Sequence, residues 1–145
     1  MLKLKLCLFA LCLLLTSCNK NTANNFENAL GEQWTVINYW ATWCKPCIEE
    51  IPELNQLASN NRDKVTVLGV DFDQSQGDAL QEKINKLGIS FNVIQQEPAE
   101  ILGYARPNVL PTTVIINAQQ QVHRILVGPQ TQQTILDAIN TESAH

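Results

Sequence analysis

From Trp34 onward the chain alternates short apolar runs with longer amphipathic ones, the two periods that distinguish strands from helices. Trp34 to Trp40, Trp-Thr-Val-Ile-Asn-Tyr-Trp, is rich in β-branched and aromatic residues and predicts a buried strand. A helix is expected to begin around Cys44 to Pro46, because proline suits the first helical turn. It should continue through Ile48, Ile51, Leu54 and Leu57 as one apolar stripe, with Pro52 inside it as a source of kinking. Val65 to Val70 predicts a second strand, and two parallel strands joined by a helix form a right-handed βαβ unit.

The remaining pattern extends that unit. Asp78 to Leu87 reads as a helix closed by Gly88, Phe91 to Ile94 as a short strand and Pro98 to Tyr104 as a short helix. Thr112 to Ile116 and Val122 to Val127 predict an antiparallel hairpin across a short polar turn. Thr131 to Asn140 predicts a closing helix with Ile135, Leu136 and Ile139 turned inward. Strand–helix–strand followed by strand–strand–helix implies an α/β fold, a mixed sheet flanked by helices in a single domain. The expected division is a signal peptide over 1–17, a tether over 18–30 and the packed domain over 31–145.

The N-terminal pattern is different. Lys3 and Lys5 precede an unbroken apolar run from Leu6 to Leu15. As a helix that run rises about 15 Å, half of the roughly 30 Å hydrocarbon core of a bilayer. Positive flank, short apolar core and small residues beyond it describe a secretory signal peptide. Leu15-Thr16-Ser17-Cys18 resembles a bacterial lipobox, which implies lipidation of Cys18 and a membrane anchor outside the cytoplasm, at the periplasmic face. An uncleaved anchor, or an ordinary signal with a chance cysteine, is the competing reading. Asn19 to Asn28 is polar apart from Phe26 and reads as a flexible tether.

Composition narrows the function without naming it. The 145 residues carry a net charge of −4, and losing Lys3 and Lys5 with the signal would make the chain more acidic. There is no basic run, so nucleic acid is not an expected partner. Cleavage would discard Cys7 and Cys12, and lipid would consume Cys18. Cys44 and Cys47 would then remain as the free pair in an oxidising compartment.

Cys44-Lys45-Pro46-Cys47 lies where a strand hands over to a helix. Two intervening residues let the sulfurs meet across the first helical turn in a small, reversible Cys44–Cys47 disulfide. The positive helix N-terminus and the Lys45 ammonium both favour thiolate at Cys44, the expected nucleophile. Cys47, a turn further in, is the expected resolving thiol. Pro46 orients it. A structural zinc site would need two more ligands, with His123 and His145 the only histidines. A haem attachment site would need histidine where Ile48 stands. An inert structural disulfide is a third alternative, although so small a loop stabilises little.

Asn38-Tyr39-Trp40-Ala41-Thr42-Trp43-Cys44-Lys45-Pro46-Cys47 resembles the active-site segment of the thioredoxin superfamily. Pro52 and Leu110-Pro111-Thr112 match that fold's kinking proline and cis-proline loop. The resemblance covers Trp34 to Asn140 and is nearest to the membrane-tethered TlpA/ResA-type branch. Asn38 in place of a buried aspartate, Glu50-Ile51-Pro52 and Pro111-Thr112-Thr113 all suit that branch.

The resemblance implies a thioredoxin-like fold and an active-site role for Glu50, three residues after Cys47 and able to share its helix face. Glu50 as a solvated residue complementing the helix dipole is the alternative. A cis bond before Pro111 would leave the Leu110 backbone free to pair with an extended substrate; an ordinary trans proline opening a strand is the other possibility. Trp43 is expected to form an apolar rim beside Cys44, and Trp34, Tyr39 and Trp40 to lie in the core. Lys45, Gln95-Gln96-Glu97 and the turn Ala118-Gln119-Gln120-Gln121 depart from the common pattern and bear on specificity.

The resulting expectation is an enzyme, an extracytoplasmic thiol–disulfide oxidoreductase working on protein cysteines, with no cofactor and no metal. The branch implies a reductase of cytochrome c maturation. Apocytochrome c or maturation factors would be its partners and a membrane component its electron donor. A general reductase or oxidase of envelope proteins is the nearer alternative, and a non-catalytic metal-handling lipoprotein the more distant one.

Overall fold

The computed structural model describes Phe26, Leu30 and residues 32–141. The signal peptide, Cys18, nearly all of the tether and His145 lie outside the described residues. Five strands form one sheet in the order β3-β2-β1-β4-β5. In chain order the elements are β1 (Trp34–Trp40), α1 (Lys45–Asn60), β2 (Val65–Asp71), α2 (Gly77–Leu87) and β3 (Asn92–Ile94). Then follow α3 (Pro98–Leu102), β4 (Thr112–Ile116), β5 (Val122–Val127) and α4 (Gln132–Asn140). Central β1 pairs parallel with β2 and antiparallel with β4, Ile37 lying between Leu68 and Val114.

Because side chains alternate across a strand, β1 feeds two cores. Val36 and Trp40 join Cys44, Cys47, Ile51, Leu54, Leu57, Ile115 and Ile135 in one cluster. Ile37 and Tyr39 join Leu68, Val70, Ile94, Val114 and Ile116 in the other, which also takes in Phe26. Phe26 is 1% exposed, so the packed domain draws on a residue ahead of the expected boundary at 31. An aromatic ring covering an apolar sheet face is stabilised by its large buried area, which outweighs the polar composition around it.

Most element boundaries agree with the sequence reading to within a residue or two. The hairpin strands coincide with it, and Gly88 ends α2 in the left-handed conformation that glycine permits, with φ 65°. The stripe on α1 differs. Its buried residues are Cys47, Glu50, Ile51, Leu54 and Leu57, whereas Ile48 is 39% exposed. Steps of three residues drift by about 60° each on a helix with 3.6 residues per turn. Ile48 and Leu57 therefore end up on opposite faces, and the inward row passes through Cys47 instead. Trp34 is also only half-buried, packed edge-on against His123 with ring centroids 4.9 Å apart. Its place at the first residue of β1 leaves one side uncovered.

Gly69, in the middle of β2, shows how tightly the α1-side layer is filled. A Cβ there would sit 2.8 Å from Trp40 Nε1 and 2.9 Å from Phe91 Cε2. Trp40 is fully buried and Phe91 is 7% exposed. Neither ring can retreat without disturbing the core. Gly69→Ala is expected to cost about 1–3 kcal/mol of stability, read as a lower midpoint in urea unfolding. An unchanged midpoint would show that this layer has slack the packing denies.

Candidate active site

Both cysteines are placed by the start of α1. Cys44 is the N-cap residue, in extended conformation, and Lys45 and Pro46 open the helix. Proline there lacks an N–H that the first turn could not have bonded in any case. Cys44 and Cys47 are joined by a disulfide, with Cα atoms 5.3 Å apart. The Cys47 N–H points at Cys44 Sγ, 3.3 Å away. That donor and the helix dipole favour negative charge on Cys44 once the pair is reduced. Cys44 is 5% exposed and Cys47 is fully buried, so an incoming group meets Cys44 first.

Lys45 contributes less than its position in sequence suggests. Its side chain is 86% exposed and faces Glu49 at 3.7 Å. Water and that carboxylate screen its charge, which leaves the helix N-terminus as the main influence on Cys44.

Glu50 is the buried acid of the site, 2% exposed, one turn after Cys47 on the same helix face. Asn38 Nδ2 donates to Glu50 Oε1 at 2.7 Å, and the Gln130 backbone N–H donates to Oε2 at 2.8 Å. Asn38 also donates to Thr113 Oγ1 at 3.1 Å. The carboxyl is thereby tied to β1, to β4 and to the loop between β5 and α4. Burial pushes the Glu50 pKa up to about 7, against the opposing pull of the Gln130 N–H and the Asn38 amide.

The Leu110–Pro111 peptide is cis. Leu110 packs against the cluster that holds Cys44 and Cys47. The Pro111 carbonyl accepts from the Gly128 N–H at 2.9 Å, two residues before the N–H that holds Glu50. One loop therefore supports both the acid and the cis-proline segment.

Trp43 forms the exposed rim, 63% accessible, while Tyr39 and Trp40 are fully buried. Its indole N–H donates to Asp73 Oδ1 at 3.0 Å, and its edge meets Phe72 with centroids 6.1 Å apart. Asp73, Phe72 and the Lys83 and Arg106 side chains around them escaped the sequence reading. Their available signal was position: Asp71 ends a parallel strand and Phe72-Asp73 follow its carboxyl end, where open α/β sheets place their sites.

The fold and this dithiol define a thioredoxin-like protein. The chain belongs to the AhpC/TSA family, whose profile matches residues 12–125. It is similar to the thiol-disulfide oxidoreductase ResA of Bacillus thuringiensis (strain Al Hakam), 31% identical over 100 residues. That match spans 68% of this chain and 57% of the relative. In solved structures the fold is shared with StoA from Bacillus subtilis, at TM-score 0.62 and 19% identity, over 76% of this chain and 84% of the other. It is shared also with a secreted thiol-disulfide isomerase from Corynebacterium glutamicum, at TM-score 0.61 and 23% identity, over 77% and 71%.

Glu50 gives this site a pH signature. Its carboxyl, ordinarily at 4.5, holds its proton to about 7 in the folded protein. Between those values the native state binds a proton that the unfolded chain has released. The resulting stability is fully present below about 4.5 and is lost as pH rises through 7. The loss is on the order of 3 kcal/mol. Glu50→Gln should remove that slope, so the variant gains on the wild type by this amount between pH 4.5 and 8 in urea unfolding. Parallel stability curves over that range would mean that Glu50 does not titrate there.

Proposed function

We propose that this protein is a thiol–disulfide oxidoreductase acting on protein cysteines, with Cys44 as the attacking and Cys47 as the resolving sulfur. The observation that carries the reading is the asymmetry of the pair. Cys44 sits at the mouth with a backbone N–H aimed at its sulfur, and Cys47 is fully buried one helical turn before Glu50. In the reduced enzyme the Cys44 thiolate attacks one sulfur of a substrate disulfide, and the other substrate sulfur leaves as a thiolate. Cys47, deprotonated, then attacks Cys44 Sγ, which breaks the mixed disulfide and frees the second substrate thiol. Two electrons pass from enzyme to substrate, and the Cys44–Cys47 disulfide remains to be reduced by a membrane electron donor.

Glu50 takes the proton of Cys47 as that thiol becomes a nucleophile. A carboxyl with a pKa near 7 suits proton exchange at neutral pH better than one near 4. The Leu110 backbone beside cis Pro111 offers the edge on which an extended substrate lies, and Trp43 supplies an apolar wall. Pro46 and Lys45 set the first turn on which Cys47 is mounted.

The finer assignment is a reductase of the cytochrome c maturation type, supported by the TlpA/ResA-type motifs and by similarity to ResA. Cys18 anchors the chain by lipid outside the cytoplasm after residues 1–17 are removed, leaving residues 18–30 as the lead into the domain. Among the described residues no helix is long and apolar enough to cross a membrane.

Two measurements address this reading. Cys47→Ser removes the thiol able to release a bound partner, so it should accumulate mixed disulfides in cells, visible on a non-reducing gel. Cys44→Ser should trap few. Apocytochromes in the trap support the finer assignment, and varied envelope proteins indicate a general reductase or oxidase. Reversed trapping by the two variants would exchange the roles of the sulfurs. For the anchor, the mature protein should gain the mass of acyl chains at Cys18, and Cys18→Ser should abolish it. A mature N-terminus elsewhere would contradict lipidation.

A further inference from the structure

The chain between α3 and β4 carries the backbone edge at Leu110, yet it belongs to no regular element. It runs from Tyr104 to Pro111 without helix or strand. Gly103, at φ 71°, turns it out of α3. Arg106 precedes Pro107, which biases its backbone toward extended conformations. From Ala105 to Leu110 no backbone N–H or C=O is bonded to the backbone of another described residue. The Val109 carbonyl takes the Thr112 hydroxyl instead, at 2.8 Å. A strap without a ladder is ordered by its side chains or not at all.

Arg106 is the side chain with most to hold. Its Nε donates to Glu97 Oε2 at 2.8 Å and its Nη2 to the Phe72 carbonyl at 2.7 Å. The same guanidinium lies 4.4 Å from the Phe72 ring centroid. Glu97 is fixed in turn as the N-cap of α3, where Oε1 accepts from the Ala99 N–H at 3.1 Å. That oxygen also accepts from the hydroxyl of Tyr39, which is fully buried in β1. Tyr104, at the start of the strap, places its hydroxyl 2.9 Å from the Tyr39 hydroxyl. One cation therefore ties the strap to the loop after β2, to the start of α3 and, through Glu97, to the central strand. A lone exposed ion pair would hold little. Here the Arg106 and Glu97 side chains are only 33% and 15% exposed, and the planar fork uses two donors and a face at once, which an ammonium cannot do.

We propose that Arg106 is a positioning residue. Clasped to Glu97 and to the Phe72 carbonyl, it fixes the strap so that the Leu110 backbone is already ordered when an extended polypeptide arrives. An edge ordered before binding spares the complex the entropy of ordering it. A small disulfide that does not reach Leu110 gains nothing from that order, so the clasp favours polypeptide substrates over small ones. The inference rests on the oxidoreductase reading above and adds a determinant of specificity, carried by a residue that need not touch the reacting sulfurs.

The test uses the full-length protein labelled with nitrogen-15. The probes are 2-hydroxyethyl disulfide and the disulfide-linked dimer of an unstructured peptide with a central cysteine. Arg106→Ala should lower the heteronuclear NOE of the Val109 and Leu110 amides, the mark of faster backbone motion, and leave the amides of β1 and β4 as they are. It should lower the ratio of kcat/KM for the peptide to that for the small disulfide by roughly three- to tenfold, mainly through KM. Glu97→Gln still accepts from Tyr39 and Ala99 but loses the charge that holds Arg106, and should move both readouts the same way by less. Arg106→Lys keeps the charge without the fork and should recover only part of the ratio. Full recovery by lysine would show that charge, not position, is what the peptide meets. An unmoved NOE in Arg106→Ala would show that the strap is ordered without the clasp. A lowered NOE with an unchanged ratio would show that the order selects nothing. If the wild type reduced neither probe, the oxidoreductase reading would fall separately. The clasp would then be judged by amide relaxation and by peptide titration of the oxidised protein, and unweakened binding in Arg106→Ala would overturn it.

Discussion

A carboxylate withdrawn from water constrains the design of this protein. Glu50 lies one helical turn after Cys47, almost fully buried, and an isolated buried charge is expensive. The structure meets that cost with donors from parts of the chain far apart in sequence: the Asn38 amide on β1 and the Gln130 N–H after β5. Those donors do not cancel the effect of burial, and the acid stays near neutrality in its titration. The positions of the sheet, of α1 and of the β5–α4 loop are thereby coupled to one proton.

The same loop extends the constraint to the cis-proline segment. Its Gly128 N–H holds the Pro111 carbonyl while its Gln130 N–H holds Glu50. The cis-proline segment, the acid and the buried sulfur therefore share a support. Trp43 belongs to a separate one, built from the Asp71–Lys83–Asp73 ion pairs and the Phe72–Arg106 stack. The site divides into a buried part around the disulfide and Glu50 and an exposed rim at Trp43, joined by the peptide bond between Trp43 and Cys44.

Much of this was legible in the sequence because it depends on local rules. β-Branched runs mark β1, β4 and β5, Gly88 marks the end of α2, and the two cysteines at a strand–helix junction mark the redox pair. Glu50 could be placed on the Cys47 face by its spacing alone. Its partners could not, since Gln130 acts through a backbone N–H, which any residue but proline supplies. Asn38 stands out in the sequence for the acid it replaces rather than for the bond it makes to Glu50. Counting in threes puts Ile48 in the core, and the true helical period turns it toward solvent. Phe26 reads with its polar neighbours, although one ring suffices to cap a sheet face. The Asp73–Lys83 support was hidden because an ion pair across a loop and a helix leaves no periodic trace.

The coupling between Glu50 and the cysteine pair can be measured most directly as the pH dependence of the Cys44–Cys47 midpoint potential, wild type against Glu50→Gln. Reduction places sulfurs that can carry negative charge one helical turn from Glu50, which favours its protonated form. Above pH 7 reduction of the wild type should therefore take up an additional fraction of a proton, and its potential should fall more steeply than the variant's. The excess slope should begin near pH 7 and reach at most roughly 30 mV per pH unit for this two-electron couple. Curves that stay parallel from pH 5 to 9 would contradict the account, for the buried acid would then be a structural fixture with no part in the redox chemistry above it.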